Sequence, residues 1–315
     1  MSAGRFAPSP SGDLHVGNLR TAVLAWLLAH ATGRKFVLRI EDLDRARARD
    51  PRPQLEALRA IGLDWDGPVH VQSRHVARFD AAIDDLRRRG LVYECWCTRR
   101  EIVEAVRAPH GIPGQYPGTC RHLTEVQRAA RRRERPGALR LRADVARETV
   151  HDLLHGAWTG PVDDLVLRRA DGTPAYNLAV VVDDAHEDVD QVVRGDDLLA
   201  SAPRQMMIAR LLDLPTPVYA HVPLVVDDQG RRLAKRGGAV TLPRLAARGV
   251  TPVAVLALLL HSLGGAVDQT AVDAAVDTGE PAALLAAAVA SLELARLPRD
   301  PWTFHAPGDE APAVR

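Results

Sequence analysis

Two groups of residues in this 315-residue chain have the types and spacing for chemistry. The first opens the chain: Arg5-Phe6-Ala7-Pro8-Ser9-Pro10-Ser11-Gly12, then Asp13-Leu14-His15-Val16-Gly17-Asn18. A short β-prone piece runs into a loop of Pro, Ser and Gly, and an amphipathic run follows His15 at once. Strand, tight loop and helix N-terminus, in that order, form the phosphate site of α/β folds. The first-turn amides carry partial positive charge and have no partner within the helix. His15 can donate to a phosphate oxygen, and Gly17 leaves room for a flat ring against the backbone. An isolated His-x-Gly-Asn is more often a surface histidine beside a helix cap; the long upstream segment reverses that preference. The second group is Cys95, Cys97 and Cys120. Cys-x-Cys with a distal cysteine in a Gly/Pro-rich stretch points to zinc, one ligand short of a Cys₄ set. His110, His122 and Tyr116 are candidates for the fourth ligand, and three reduced, unliganded thiols are the plain alternative.

These groups need elements to hold them. Leu19, Ala22, Val23, Trp26, Leu27 and His30 recur at helical spacing, with Gly33 as a stop. Lys35 to Ile40 reads as a strand, followed by the acids Glu41, Asp42 and Asp44. Helices are expected over 54–61 and 76–89. After residue 91 the texture changes to a short strand, the cysteines and a basic helix with Arg131 to Arg133, as in an insertion with its own small core. Residues 165–169 form a patterned segment, a turn falls at Asp171-Gly172, and an apolar run covers 178–182. Gln191 to Arg194 is a strand. Ser201 is a plausible N-cap with Pro203 in the first turn. Residues 250–297 are Ala/Leu-rich and helical, and the Pro-containing tail from 298 is expected to be flexible.

Composition narrows the class. Hydrophobic residues make up 46% of the chain, enough for a core, and no apolar stretch is long enough to span a bilayer. With no apolar leader, the expected location is cytoplasmic, where cysteines stay reduced. The net charge of +1 restricts any nucleic-acid contact to local patches such as Arg87 to Arg89 and Arg131 to Arg133, although solvated helix faces explain those runs better. Lys35 and Lys235 are the only lysines among 41 Lys and Arg residues. A lysine that persists against such a bias is a candidate for a compact point charge.

The opening segment resembles the N-terminal signature of class I glutamyl-tRNA synthetases, with His15-Val16-Gly17-Asn18 as the "HIGH" element. Arg232-Leu233-Ala234-Lys235-Arg236 stands where that class carries its "KMSKS" element. Arg232 replaces the first Lys and Ala234 a Ser, while Lys235, the lysine the family uses on the ATP phosphates, is kept. The resemblance implies a Rossmann-type α/β catalytic domain with a small zinc-binding insertion and a short helical C-terminal region. It implies ATP contacts at His15, Gly17, Asn18 and Lys235, with Mg²⁺ carried by the nucleotide. It implies carboxylate contacts from Arg5 through Ser9 (Arg5, Phe6, Ala7, Pro8, Ser9) and from Arg194, an ammonium partner in Glu41, and a hydrogen-bonding wall in Tyr176. The plain alternatives are an ion pair of Arg194 with Asp196 or Asp197, and a solvated Glu41.

The domain division expected from this pattern is 1–90 and 165–246 for the two catalytic halves. The insertion takes 91–164, a helical region 247–297 and a flexible tail 298–315. About 80 residues follow Arg236, too few for the helical anticodon-binding domain of the full-length enzymes. The short glutamyl-queuosine tRNA(Asp) synthetase family has this shape and the pattern Cys-x-Cys…Tyr-x-x-x-Cys, which Cys95, Cys97, Tyr116 and Cys120 fit. That resemblance implies glutamyl-adenylate formation without tRNA, transfer to queuosine of tRNA(Asp), one structural zinc and a monomer. The rivals are a truncated synthetase charging the acceptor end and a non-tRNA adenylyltransferase relative.

Overall fold

The computed structural model describes residues 2–106, 115–233 and 240–305. β1 (Ala3–Phe6), α1 (Val16–Ala31) and β2 (Lys35–Ile40) open the chain, then α2 (Arg52–Ala60), β3 (His70–Val71) and α3 (Val76–Arg88). β4 (Val92–Cys95), α4 (Arg99–Val106), α5 (Glu125–Glu134) and β5 (Ala138–Leu141) precede β6 (Arg147–Asp152), β7 (Gly156–Pro161) and β8 (Val166–Arg168). α6 (Tyr176–His186), β9 (Val189–Gly195), α7 (Ala202–Leu211), β10 (Val218–Val222) and β11 (Val225–Val226) follow. The last elements are α8 (Leu242–Ala246), α9 (Pro252–His261), α10 (Gln269–Val276), α11 (Pro281–Ser291) and β12 (Trp302–Thr303).

The main sheet runs β3-β2-β1-β9-β10-β6-β7, parallel throughout except for the β6–β7 hairpin. Its first five strands have the order of a doubly wound nucleotide-binding sheet, in which the strand order reverses between β1 and β9. Side chains alternate across the sheet. Phe36, Leu38 and Val193 pack with α1, while Val37, Val192 and Tyr219 face Ala202 and Met206 on the other side. Gly4 lets α1 sit close on β1: a Cβ there would come within 2.9 Å of the Ala29 Cβ.

α1 differs from the amphipathic helix expected. Eleven of its sixteen residues are buried, because α9 and α11 cover the side away from the sheet. The segment 178–182 lies within α6, which packs on the opposite face. Ser201 precedes α7 as expected but makes no capping hydrogen bond; its helical backbone continues a 3₁₀ turn.

Two boundaries require correction. β6 and β7, expected within the insertion, extend the main sheet through the pairing of Asp152 with Tyr219. The separate three-stranded sheet is β4-β5-β8, so β8 crosses the expected boundary at 164 from the other side. The segment from 298 is also not free over its described part. Trp302 and Thr303 pair with Val225 and Val226, and Phe304 is buried against the core. Apolar Trp302 and Phe304 explain this: burying such rings contributes about 2 kcal/mol each, enough to offset ordering a short strand.

Candidate active site

A cavity of about 630 Å³ opens at the carboxyl ends of β1, β2 and β9, beside the switch point. Phe6, Ala7, Pro8 and Ser9 line it where β1 ends. The loop is held from two sides: the Glu41 amide donates to Pro8 O at 3.1 Å, and Gln54 Nε2 donates to Ser9 O and Gly12 O. Glu41 therefore enters the cavity on the residue after β2, which is why a strand followed by an acid was the legible signal.

His15, Gly17 and Asn18 form the neighbouring wall at the start of α1. His15 is itself the N-cap. Its Nδ1 accepts from the Asn18 amide at 3.3 Å, and Asn18 Oδ1 accepts from the His15 amide at 3.3 Å. An accepting Nδ1 assigns the proton of the neutral ring to Nε2, making that atom a donor. A Cβ on Gly17 would lie 3.0 Å from His15 Cε1, so this glycine sets the ring's position.

Arg194 and Tyr176 complete the opposite side. Tyr176 is the first residue of α6 and 39% exposed. Arg194 is 5% exposed and makes no ion pair with Asp196 or Asp197. Its Nε donates to His221 Nε2 at 2.9 Å, and its buried Nη1 has no hydrogen-bond partner among the described residues. A buried guanidinium nitrogen without a partner is costly unless a ligand oxygen completes it.

Arg5 stands behind the cavity rather than on its wall. It donates to Asp184 at 3.3 Å and to Val193 O at 3.3 Å. Arg39, fully buried, binds Asp184 at 2.6 Å and Glu187 at 2.7 Å, and reaches Glu41 at 3.6 Å. Burial pushes the Glu41 carboxyl up to about 7, against the opposing pull of Arg39 and Arg5.

Lys235 lies outside the described residues, as do Ala234 and Arg236. The chain on either side of them is tied to the cavity. Arg232 and Leu233 line it, with Arg232 bound to Asp197 at 2.5 Å and the Leu233 amide donating to Val225 O. On the far side, Val240 O accepts from the Val16 amide at 2.9 Å, next to His15.

The cysteines converge in a second place. The sulfurs of Cys95, Cys97 and Cys120 lie within 4.8 Å of one another. Tyr116 Oη is 3.3 Å from Cys95 Sγ and 3.6 Å from Cys97 Sγ, and Cys97 and Cys120 sulfurs are 3.5 Å apart. Ligand atoms around a tetrahedral zinc with bonds of ~2.0–2.3 Å lie roughly 3.3–3.8 Å apart, so this set could hold such an ion. His122 is exposed, and His110 lies outside the described residues. Arg140 lies over the Tyr116 ring at 3.6 Å and donates to Asp164 O, fixing the ring from behind.

The basic runs are largely satisfied within the chain. Arg87 pairs with Asp84, Arg88 with Asp85, Arg131 with Glu134, and Arg132 with Glu94 and Glu125. Sequence reasoning missed Gln54, Asp152, Asp184 and His221. The legible hint was a polar residue within an apolar strand, as His221 is in Val218–Val222.

Comparison with known proteins decides the family. A profile described as "tRNA synthetases class I (E and Q), catalytic domain" matches residues 3–270. The chain belongs to that family. Within it, the chain is 60% identical over 301 residues to a glutamyl-Q tRNA(Asp) synthetase from Nocardia farcinica, covering 95% of this chain and 92% of that one. It is 52% identical to the protein of that name from Cutibacterium acnes, over 84% of this chain and 76% of the relative. A glutamate-tRNA synthetase structure from Elizabethkingia anophelis shares the class I fold, with a TM-score of 0.79 at 23% identity, over 97% of this chain and 68% of that one. No described helix is long and apolar enough to cross a membrane.

Proposed function

We propose that this chain activates L-glutamate with ATP and transfers the glutamyl group to queuosine in the anticodon loop of tRNA(Asp). The observation that carries the activation step is the buried Nη1 of Arg194, unpartnered among the described residues and in one cavity with Glu41 and His15. A cation suits the side-chain carboxylate of glutamate and an acid suits its ammonium. The identity of the relatives named glutamyl-Q tRNA(Asp) synthetase supports the acceptor.

The ligand's α-carboxylate oxygen attacks the α-phosphorus of ATP, the P–O bond to the β-phosphate breaks, and pyrophosphate leaves. Negative charge grows on phosphoryl oxygens, so aimed donors supply most of the acceleration. His15 Nε2–H and the first-turn amides of α1 suit those oxygens, with Lys235 reserved for the departing phosphates. Mg²⁺ bound with ATP supplies charge neutralisation there. A queuosine diol hydroxyl then attacks the glutamyl carbonyl and AMP leaves, its proton passing to solvent or to AMP.

Tyr116 with Cys95, Cys97 and Cys120 is the set we assign to one structural zinc, closing the module around β4 and β5. Arg5 would act on glutamate through charge rather than contact. We also propose a cytoplasmic monomer.

The test is pyrophosphate exchange with glutamate and no tRNA, followed by labelling of tRNA(Asp) with and without queuosine. The reading expects tRNA-free exchange and label only on queuosine-bearing tRNA. Exchange that requires tRNA(Glu), or label at the 3′ end, would replace it with an acceptor-end synthetase.

A further inference from the structure

Behind Arg194 runs a buried chain of hydrogen bonds that ends on a carboxylate. Asp152 Oδ1 accepts from the amides of Leu154 at 2.8 Å and His155 at 2.9 Å. Its Oδ2 accepts from the His221 amide at 3.0 Å and lies 2.6 Å from His221 Nδ1. On the other side of the ring, Nε2 is 2.9 Å from the Arg194 Nε. Asp152 and His221 side chains are fully buried.

The proton positions along this chain follow from valence. Arg194 Nε always carries a hydrogen, so Nε2 must offer a lone pair. The ring is then neutral with its proton on Nδ1, donated to Asp152. A protonated ring would set N–H against N–H. Burial and the Arg194 cation both resist that, although Asp152 favours it.

An imidazole is an unusual partner for a buried arginine, and the choice has an electrostatic result. Arg5 and Arg39 share Asp184, and Arg39 also binds Glu187, so their charges are largely compensated. Arg194 is fixed by a neutral acceptor and by the Tyr219 ring, whose centroid lies 5.1 Å from its central carbon. Its charge stays available to the cavity. We infer that His221, oriented by Asp152, is a positioning residue that aims Arg194 without neutralising it, and so makes the site select an anionic amino-acid side chain over its neutral amide. This rests on the assignment of glutamate as substrate, and adds the residue that enforces the choice.

Two variants and one measurement on the unmodified protein test it. His221→Leu removes the acceptor. An unmade hydrogen bond to a buried charged donor costs enough to raise KM for glutamate on the order of 30-fold. KM for ATP should stay within twofold, and the preference for glutamate over glutamine should fall at least tenfold. His221→Gln restores a neutral acceptor and should recover most of both losses. In the unmodified protein, ¹⁵N-labelled histidine spectra should show the His221 signal, assigned by its absence in His221→Gln, as the neutral Nδ1–H tautomer. Unchanged glutamate KM in folded His221→Leu overturns the inference. So do parallel losses for glutamate and ATP that His221→Gln does not relieve. If His221→Leu does not fold, His221→Asn, too short to reach the Arg194 Nε, takes its place with the same expected losses, and an Nε2–H ring in the unmodified protein overturns the inference in either case. Failure of the unmodified enzyme to exchange pyrophosphate with glutamate would instead strike the substrate assignment, leaving the tautomer result to stand separately.

Discussion

The cleft draws its polar groups from Ser9 to Arg232, whereas the cysteine cluster draws its four from Cys95 to Cys120. In the cleft, each functional side chain leaves the end of a different strand or helix, and buried partners such as Asp184 and His221 fix it from behind. Around the cysteines, three sulfurs and a phenol oxygen converge with little apolar mass beneath them; Tyr93 and Trp96 are the large neighbours. The difference teaches where each region's order comes from. The cleft inherits its geometry from the whole sheet. On the zinc assignment proposed above, the cysteine module owes its order to the ion that ties its sulfurs together.

The largest effect should come from removing the cleft's uncompensated charge. Arg194→Ala is expected to raise KM for glutamate at least about 100-fold, since losing a buried charge-assisted pair costs ~3 kcal/mol, with KM for ATP within threefold. Steady-state exchange assays read both constants, and equal losses would recast Arg194 as structural. Next, removal of metal by a strong chelator should release about one zinc per chain and lower the thermal midpoint by at least about 5 °C. Tyrosine and tryptophan signals from the module should change while glutamate-dependent exchange stays within threefold. Zinc-free purified protein, or a cleft that fails together with the module, would erase the contrast.

A third effect concerns Glu41. Its carboxyl sits near 7 in the free enzyme because burial disfavours the charged form. Below that pH it is protonated and cannot pair with an ammonium. KM for glutamate should therefore rise about tenfold from pH 8 to pH 6. Glu41→Gln should raise KM at all pH values and flatten the profile; a profile unchanged by that substitution would assign the titration elsewhere. Gly17→Ala should slow adenylation about fivefold by displacing the His15 ring, with KM for glutamate unchanged, as read by single-turnover adenylate formation. Smallest of all, Arg88→Ala should change transfer to tRNA less than twofold, since Asp85 already engages that arginine on a solvated face.

Much of the cleft was legible because its residues sit at element ends. Strand, Pro/Ser/Gly loop and helix start are local patterns, and Glu41 directly follows the strand that positions it. The family resemblance supplied Tyr176 and Arg194, whose meaning lies in their distance across the fold. What escaped was the supporting layer. Asp152 is 69 positions from His221, and no local pattern announces their hydrogen bond. The insertion boundary escaped for a similar reason: β6 and β7 carry strand-like sequence, but only β10 decides which sheet they join. The flexible tail expected from 298 is corrected only over residues 298–305, where the prolines suggested a free chain but Trp302 and Phe304 pack on the core.

The pairing of β11 with β12 has a consequence for the order of synthesis. Val225 and Val226 lead directly into the segment that carries Lys235, and their sheet partners are residues 302 and 303. A ribosome completes the signature elements, His15 through Lys235, well before it makes that partner strand. The nascent enzyme thus holds every residue of its cleft while β11 still lacks its neighbour, and residues 302 and 303, made later, finish bracing the strand that leads toward Lys235.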